Sequence, residues 1–222
     1  LLELYTSEGC SSCPRADVWL SRLKNDGRLW QQIVPVAFHV DYWDRLGWPD
    51  RFARREWTER QGRYAARWKS GRVYTPGFVL NGREWRGFFT GSPLPTENKG
   101  RPGDLAIESA EADEWSVEYR PATASSPKNL KIHLAIIGFG HDTDVAAGEN
   151  RGRRLAHDFV IHQVVTKSLT HLKGTHKATV RTPRPSAAKR YGLAAWISAN
   201  TDPTPIQATG GWLPSRPGTA AR

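Results

Sequence analysis

The sequence predicts an α+β protein: an α/β domain over residues 1–100, then a mainly antiparallel β-sandwich domain over residues 101–222. Strand-forming runs alternate with helical periodicity in the first half, whereas the second half holds short alternating or apolar runs separated by Gly, Pro, Asn and Asp. With 222 residues, 38% of them hydrophobic and ten of them tryptophan, the chain is long and apolar enough for two folded cores.

The first 40 residues are typical of a strand, a turn, a helix and a second strand. Residues 1–6 are rich in strand formers, Val18, Trp19 and Leu23 recur at helical spacing, and residues 33–40 form an apolar run. Two strands separated by one helix predict a parallel pair with a right-handed crossover.

Residues 41–50 are rich in aromatic and turn residues and too irregular for a strand, and residues 51–68 predict a charged helix. Several aromatic side chains lie on one side of that helix. We expect them to pack onto the sheet: Phe52, Trp57, Tyr64 and Trp68.

A hairpin is predicted after residue 77. Phe78–Leu80 is predicted to be a short strand, Asn81-Gly82 is a strong hairpin-turn signal, and residues 83–87 form the returning strand. The preceding Thr75-Pro76 bond is a candidate cis peptide, because X-Pro bonds adopt the cis form at small cost; an ordinary trans proline at a strand start is the alternative.

The second half predicts about seven short strands in one sandwich. They cover Leu105–Ile107, Trp115–Tyr119, Leu130–Ile137, Leu155–Val165, Lys177–Arg181, Leu193–Ser198 and Ile206–Thr209.

A polar segment at residues 148–154 is interpreted first as a solvated hairpin turn. The alternative is that Glu149, Arg151 or Arg153 reaches across to the first domain. His157 and His162 are predicted to be structural rather than metal ligands.

Cys10 and Cys13 are the only cysteines, and they stand where the first strand leads into the helix. Backbone N–H groups and the helix dipole at such a position favour a thiolate, so a redox dithiol is the leading hypothesis, with Cys13 as the resolving thiol. The alternatives are a zinc site short of its usual four ligands, a structural disulfide closing a very small loop, and two inert buried thiols.

The amino-acid composition limits the classes of partner that the protein is expected to bind. The formal net charge of +10 is scattered, with concentrations at residues 51–67, residues 151–154 and the C-terminal tail, and such a charge could serve acidic partners, anionic membrane surfaces or nucleic acid. No nucleic-acid motif accompanies it, so a solvated basic surface is favoured. No apolar run approaches the roughly 20 residues of a membrane span. The sequence implies no metal and no organic cofactor.

Four segments resemble an uncharacterised bacterial family of secreted thioredoxin-like proteins, domain of unknown function 1223. They are Leu4–Pro14, His39–Asp44, Tyr74–Pro76 and Gly148–Arg153.

The resemblance implies that the first domain is thioredoxin-like and that Cys10 attacks while Cys13 resolves. It implies that Pro76 faces them across a substrate groove, where the backbone of Thr75 pairs with a bound peptide. It also implies a periplasmic or secreted protein whose leader precedes residue 1.

The sequence departs from thioredoxins at two places. Ser11-Ser12 stands between the cysteines where thioredoxins keep a proline, and Leu4 stands where they bury an acid, with Glu3 and Glu8 nearby. Hydroxyl and backbone donors of the two serines favour a thiolate and oxidant behaviour. The candidate supporting residues are Glu8, Ser11, Ser12, Asp41, Glu149 and Arg151.

The leading function is that of a thiol–disulfide oxidoreductase that acts on protein or peptide thiols and disulfides, together with an unidentified redox partner. The alternative is a non-catalytic peptide-binding or protein-binding module in which the disulfide is structural. A peroxidase or a reductase for small thiols has weaker support. The leading hypothesis requires that Cys10 be accessible and that the loop of Pro76 lie near it.

Overall fold

The computed structural model describes residues 1–95, 100, 102–111, 113–123, 129–183, 185 and 188–214. The first half of this described chain holds strands β1 (Leu2–Thr6), β2 (Pro35–His39), β3 (Gly77–Leu80) and β4 (Arg83–Glu84) and helices α1 (Cys13–Arg22), α2 (Arg55–Arg67) and α3 (Gly87–Thr90). Short 3₁₀ helices cover Leu23–Asn25 and Asp44–Leu46.

The second half is built from strands. They are β5 (Gly103–Glu111), β6 (Glu114–Pro121), β7 (Leu130–Phe139), β8 (His141–Asp144), β9 (Arg154–His157), β10 (Val160–Ser168), β11 (Thr170–Leu172), β12 (Thr175–Arg181), β13 (Arg190–Ala199) and β14 (Pro205–Trp212).

One mixed sheet runs through both halves of the chain. Its eight strands are ordered β14-β13-β7-β10-β2-β1-β3-β4, and β10 joins β2 in parallel where Val160 pairs with Ala37. The predicted fold class, a thioredoxin-like α/β domain followed by a β-sandwich domain, is therefore wrong: the molecule is mostly β, with 45% strand and 16% helix, around a large mixed sheet. The division at residue 100 stays a prediction.

The shared sheet separates two hydrophobic layers. Along β7, Leu134 and Ile136 face the four-stranded sheet β11-β12-β6-β5, whereas Ala135 and Ile137 face the core of the first half. Successive strand residues point to opposite faces, so a strand covered on both sides is apolar throughout. Such a run shows that a strand is buried but not which strand lies beside it.

The local predictions for the first half agree well with the structure. The first strand, the helix after Cys13 and the parallel second strand are confirmed. The Thr75-Pro76 bond is cis, and Asn81 and Gly82 both have positive φ, as a tight hairpin turn requires.

Other boundaries differ. Helix α2 begins at Arg55 rather than at residue 51, and the return strand ends at Glu84. The predicted strand Leu155–Val165 is split into β9 and β10, because Phe159 takes a positive φ between them. Within the described residues, no helix is both long and apolar enough to cross a bilayer.

Helix α2 packs on the sheet through apolar and ionic contacts. Trp57 and Tyr64 are buried in the core as predicted. Arg60 donates two hydrogen bonds to Glu3 on β1, from Nε to Oε2 at 2.7 Å and from Nη2 to Oε1 at 3.0 Å. The hydroxyls of Tyr5 and Tyr64 donate to the same carboxylate. These four residues are called the Glu3 cluster.

Candidate functional site

Cys10 and Cys13 form a disulfide between the end of β1 and the start of α1. The Cys13 N–H donates to Cys10 O, Ser12 is the N-cap residue, and Pro14 stands in the first turn, where a missing N–H costs nothing. The bond places the sulfurs at the positive end of the helix dipole. It also excludes two of the alternatives for this state, a zinc-bound pair and two free thiols.

Both cysteines are buried, with 0% of each residue exposed, whereas Ser11 and Ser12 are exposed. The expected accessibility of Cys10 is therefore wrong for this state. The hydroxyl of Ser12 lies 3.3 Å from Cys10 Sγ, so an exposed side chain covers the sulfur.

A turn from the second half of the chain holds the disulfide loop. The buried side chain of Asn150 donates to Glu8 O at 2.8 Å and to Cys10 O at 3.0 Å. Glu149 Oε2 accepts the Ser11 N–H at 3.0 Å, and hydrogen bonds from the Ser11 side chain and from this backbone N–H lower the pKa of Glu149. Residues 148–154 thus form the mostly exposed hairpin turn of the first interpretation, and Glu149 and Asn150 also reach the disulfide loop, as the alternative expected for Glu149.

The two arginines of this turn that the sequence suggested as functional, Arg151 and Arg153, differ in their contacts. Arg153 Nη1 donates to Asn150 Oδ1 at 2.7 Å and thereby orients the amide that holds the loop. Arg151 is exposed, and the contact seen for it within the described chain is its backbone N–H to Gly148 O.

The loop of the cis proline is joined to the disulfide loop by one side chain. Trp43 Nε1 donates to Thr75 Oγ1 at 2.8 Å, and a Cβ on Gly9 would lie 3.0 Å from Trp43 Cβ. Trp43 therefore packs directly against the residue before Cys10. Asp41 instead bonds Thr58 of α2 and has no contact with the disulfide among the described residues.

Five buried ionisable residues lie in the interior of the protein next to the disulfide loop and α1, and we call them the disulfide-side cluster. Asp17 is four residues beyond Cys13 in α1, so the two side chains share a helix face with Cβ atoms roughly 5–6 Å apart. The members are Glu8, Asp17, His39, Asp50 and His157.

His157 stands between two carboxylates. Its Nε2 lies 3.4 Å from Glu8 Oε1 and its Nδ1 lies 3.8 Å from Asp17 Oδ2, and neither ring nitrogen has a hydrogen-bond partner in the described chain. Glu8 receives the Trp48 Nε1–H on its other oxygen, at 2.9 Å, and Asp17 receives the Thr6 hydroxyl. Burial raises the pKa of Asp17.

Asp50 and His39 form the second half of this cluster, with 2.6 Å between Asp50 Oδ2 and His39 Nδ1. Burial alone would raise the pKa of Asp50, but His39 and the N–H groups of Glu8 and Phe52 outweigh it and hold this pKa at about 2. Burial would likewise lower the pKa of His39, but the charge of Asp50 outweighs it and the pKa is raised.

The cluster is not a metal centre. No group of three or more His, Cys, Asp or Glu residues in the described part of the chain has the geometry to hold a metal ion. His162 lies outside the cluster and contacts His141, with 3.0 Å between their Nε2 atoms.

Sequence reasoning missed Asp17, His39, Asp50, His157 and Asn150 as members of the site. One of them carried a signal: Asp17 shares the buried face of α1 with Cys13, Ala16 and Leu20, where a carboxylate is unexpected. The others come from distant segments, and only the fold brings them together.

The family described as "Protein of unknown function (DUF1223)" matches residues 1–198. No curated protein matches the chain. The crystal structure of protein AGR_C_4864 from Agrobacterium tumefaciens is similar at a TM-score of 0.67 and 24% identity, covering 100% of this chain and 96% of that one. HBP35 of Porphyromonas gingivalis is similar at 0.61 and 12% identity, covering 100% and 77%. At these identities the likeness shows the fold alone.

Proposed function

Since the chain belongs to the DUF1223 family of proteins of unknown function, we propose its activity from the disulfide site: it is a thiol–disulfide oxidoreductase that acts on protein thiols. One observation carries this proposal. The disulfide lies at the N-terminus of α1 with the ionisable disulfide-side cluster buried behind it.

A structural disulfide has no need of such a cluster. Removing a carboxylate or an imidazolium from water costs several kcal/mol per ion, and incomplete pairing leaves that cost uncompensated. The pairs of His157 with Glu8 and Asp17 are long, at 3.4 and 3.8 Å, and His39 Nε2 lacks a hydrogen-bond partner within the described chain. Buried ionisable groups with perturbed pKa values concentrate at functional sites.

The reaction starts from the disulfide seen in the structure. A substrate thiolate attacks Cys10 Sγ, a new sulfur–sulfur bond forms, and the Cys10–Cys13 bond breaks. Cys13 leaves with the electron pair as a thiolate and takes up a proton. A second substrate thiolate then attacks the substrate sulfur of the mixed disulfide and releases Cys10, so that the substrate loses two electrons and the protein gains them.

The surroundings support both sulfurs as leaving groups. The helix N-terminus stabilises a developing thiolate, and the Ser12 hydroxyl is placed to donate to Cys10 Sγ. Asp17, whose pKa burial raises, lies one helical turn from Cys13 and is suited to exchange the proton that Cys13 needs.

Substrate access to Cys10 requires the Ser12 side chain to move. Ser12 is exposed, and exposed side chains change rotamer within nanoseconds, so the contact of its hydroxyl with Cys10 Sγ is easily broken. A substrate peptide would pair with the backbone of Thr75 beside Pro76. The thioredoxin-like character of this site and a periplasmic or extracellular location, where disulfides persist, belong to the same proposal.

The test is refolding of reduced ribonuclease, with insulin reduction as the reverse reaction. We expect turnover by the wild-type protein and none by Cys10→Ser, whereas Cys13→Ser should accumulate a mixed disulfide with the substrate. Background rates for all three proteins in both assays would overturn the proposal.

A second candidate function is supported by the complete burial of both cysteines. In that case the protein is a binding module and the disulfide only closes the loop. Equilibration with glutathione separates the two: a potential below about −300 mV marks a structural bridge, and one near −120 to −270 mV, roughly the range of known oxidoreductases, marks exchange.

A further inference from the structure

We propose that the groove along the outer face of α1 binds an acidic segment of the substrate polypeptide next to the cysteine that undergoes exchange. The proposal rests on the proposed function and names the substrate class of the same site. The groove has a volume of about 730 Å³ and runs between α1 and the segment 87–94.

The helix contributes a regular stripe to this groove. Val18, Trp19 and Arg22 follow Arg15 by three, four and seven residues, which is helical spacing, and all four line the groove. Val18 is 50% exposed and places an apolar side chain between the two arginines of the stripe. The apolar wall opposite includes Phe88.

The charge of the groove is strongly one-sided. Four arginines line it, Arg15, Arg22, Arg28 and Arg153, and Asp26 is the one carboxylate among the described lining residues. Arg28 holds Asp26 with two hydrogen bonds, of 2.9 Å and 2.7 Å, which lower the pKa of Asp26 to about 2 and leave that carboxylate occupied. Neither Arg15 nor Arg22 forms a salt bridge within the described chain.

The groove is continuous with the disulfide loop. Pro14, the residue after Cys13, lines its upper end. Arg153 lines it as well and bonds Asn150, whose amide holds the carbonyl of Cys10. A peptide lying in the groove would therefore extend from the site where its own cysteine reacts.

The spacing defines the occupant. Arg15 and Arg22 are seven residues apart, or about 10 Å along the helix axis. A peptide in the polyproline II conformation covers about 9 Å in three residues, and its residues i and i+3 lie on the same face. The complementary segment thus has two carboxylates about three residues apart with an apolar side chain between them, placed a few residues from the reacting cysteine.

The binding experiment uses two fluorescent peptides without thiols, one containing Glu-Val-Ser-Glu and the other Gln-Val-Ser-Gln. Fluorescence anisotropy with the oxidised protein should show that the acidic peptide binds at least about fivefold more tightly. The ratio should fall to near one in Arg15→Gln/Arg22→Gln and persist in Arg63→Gln/Arg72→Gln, which removes the same charge from exposed positions outside the groove.

Equal affinity of the wild-type protein for both peptides, or equal loss in both double variants, would overturn the groove proposal. The second experiment adds one cysteine to each peptide and measures the rate of mixed-disulfide formation with the protein. The acidic peptide should react faster with the wild type, and this preference should be lost in Arg15→Gln/Arg22→Gln. The reaction of 2-mercaptoethanol should be equally fast with the wild type and with that double variant. Because the anisotropy experiment needs no thiol chemistry, absence of exchange in the second experiment contradicts the proposed function, whereas the groove proposal stands or falls on the anisotropy alone.

Discussion

The Glu3 cluster and the disulfide-side cluster are both buried and both ionic, yet they are paired to different degrees. Both oxygens of Glu3 are hydrogen-bonded to Arg60 and to tyrosine hydroxyls. In the disulfide-side cluster, His157 lies 3.4 Å from Glu8 and 3.8 Å from Asp17, both longer than the Glu3–Arg60 contacts, and His39 Nε2 has no hydrogen-bond partner among the described residues.

The difference indicates that Glu3 on β1 and Glu8 in the loop after β1 have different roles. A fully bonded ion pair fixes one arrangement of α2 on the sheet. A set of acids and imidazoles with unmatched atoms can change its protonation when a nearby charge changes, as happens when the disulfide is reduced.

The sharpest test of this contrast is Arg60→Met. It leaves the Glu3 carboxylate buried without its cation, and we expect unfolding in urea to show a loss of about 3–5 kcal/mol. The reduction potential of the disulfide should not change. Glu3→Gln/Arg60→Met should recover most of the stability, because no buried charge remains. A shifted potential in Arg60→Met would show that the two clusters are coupled.

The next largest effect is expected for Asn150→Ala. Two buried carbonyls, those of Glu8 and Cys10, lose their donor, which should cost about 1–3 kcal/mol and loosen the disulfide loop. Dithiothreitol should then reduce the disulfide faster. The exposed Asn25→Ala should change neither quantity. An unchanged reduction rate in Asn150→Ala would show that the turn does not restrain the loop.

Asp17→Asn tests the titration of the disulfide-side cluster. The folded pKa of Asp17 is raised above its unfolded value near 3.9, so the wild type loses stability as pH rises from about 4 to the folded pKa, by about 1.4 kcal/mol for each pH unit between the two pKa values.

Because Asn cannot ionise, the free energy of unfolding of Asp17→Asn should exceed that of the wild type increasingly as pH rises above 4. The variant should also exchange disulfides more slowly. Urea unfolding at several pH values measures the first effect and ribonuclease refolding measures the second. A variant that is less stable at neutral pH would mean that the ionised carboxylate has a structural role.

The smallest effect is expected for Ser12→Ala. Stability should change by less than about 0.5 kcal/mol, since the residue is exposed. The pKa of the reduced Cys10 thiol should rise because the hydroxyl donor is lost, and the ultraviolet absorbance of the thiolate measures it. Ser11→Ala is the control for the loss of a hydroxyl elsewhere in the loop, because the Ser11 hydroxyl bonds Glu149 rather than a cysteine sulfur. Equal pKa values in both variants would remove Ser12 from the site.

Much of the first half follows from the sequence because its signals are local. The positions of Cys10 and Cys13, the cis bond before Pro76 and the hairpin at Asn81 are set by residues within one turn of each other. Spacing and turn chemistry are sufficient for such features.

The rest depends on pairing over long distances along the chain. Nothing near Ala37 indicates that Val160 lies beside it, and the apolar run of β7 fits an isolated sandwich as well as a sheet shared by both halves. The roles of Asn150 and His157 depend on that same shared sheet. The fold class and half of the candidate site therefore could not be predicted from local sequence patterns.

The parallel pairing of β10 with β2 sets an order of events during synthesis. A chain that leaves the ribosome from its N-terminus exposes the edge of β2 until β10, more than a hundred residues later, has been made. At typical elongation rates that interval is of the order of ten seconds. We therefore expect the nascent protein to depend on a chaperone that shields this edge until translation reaches β10.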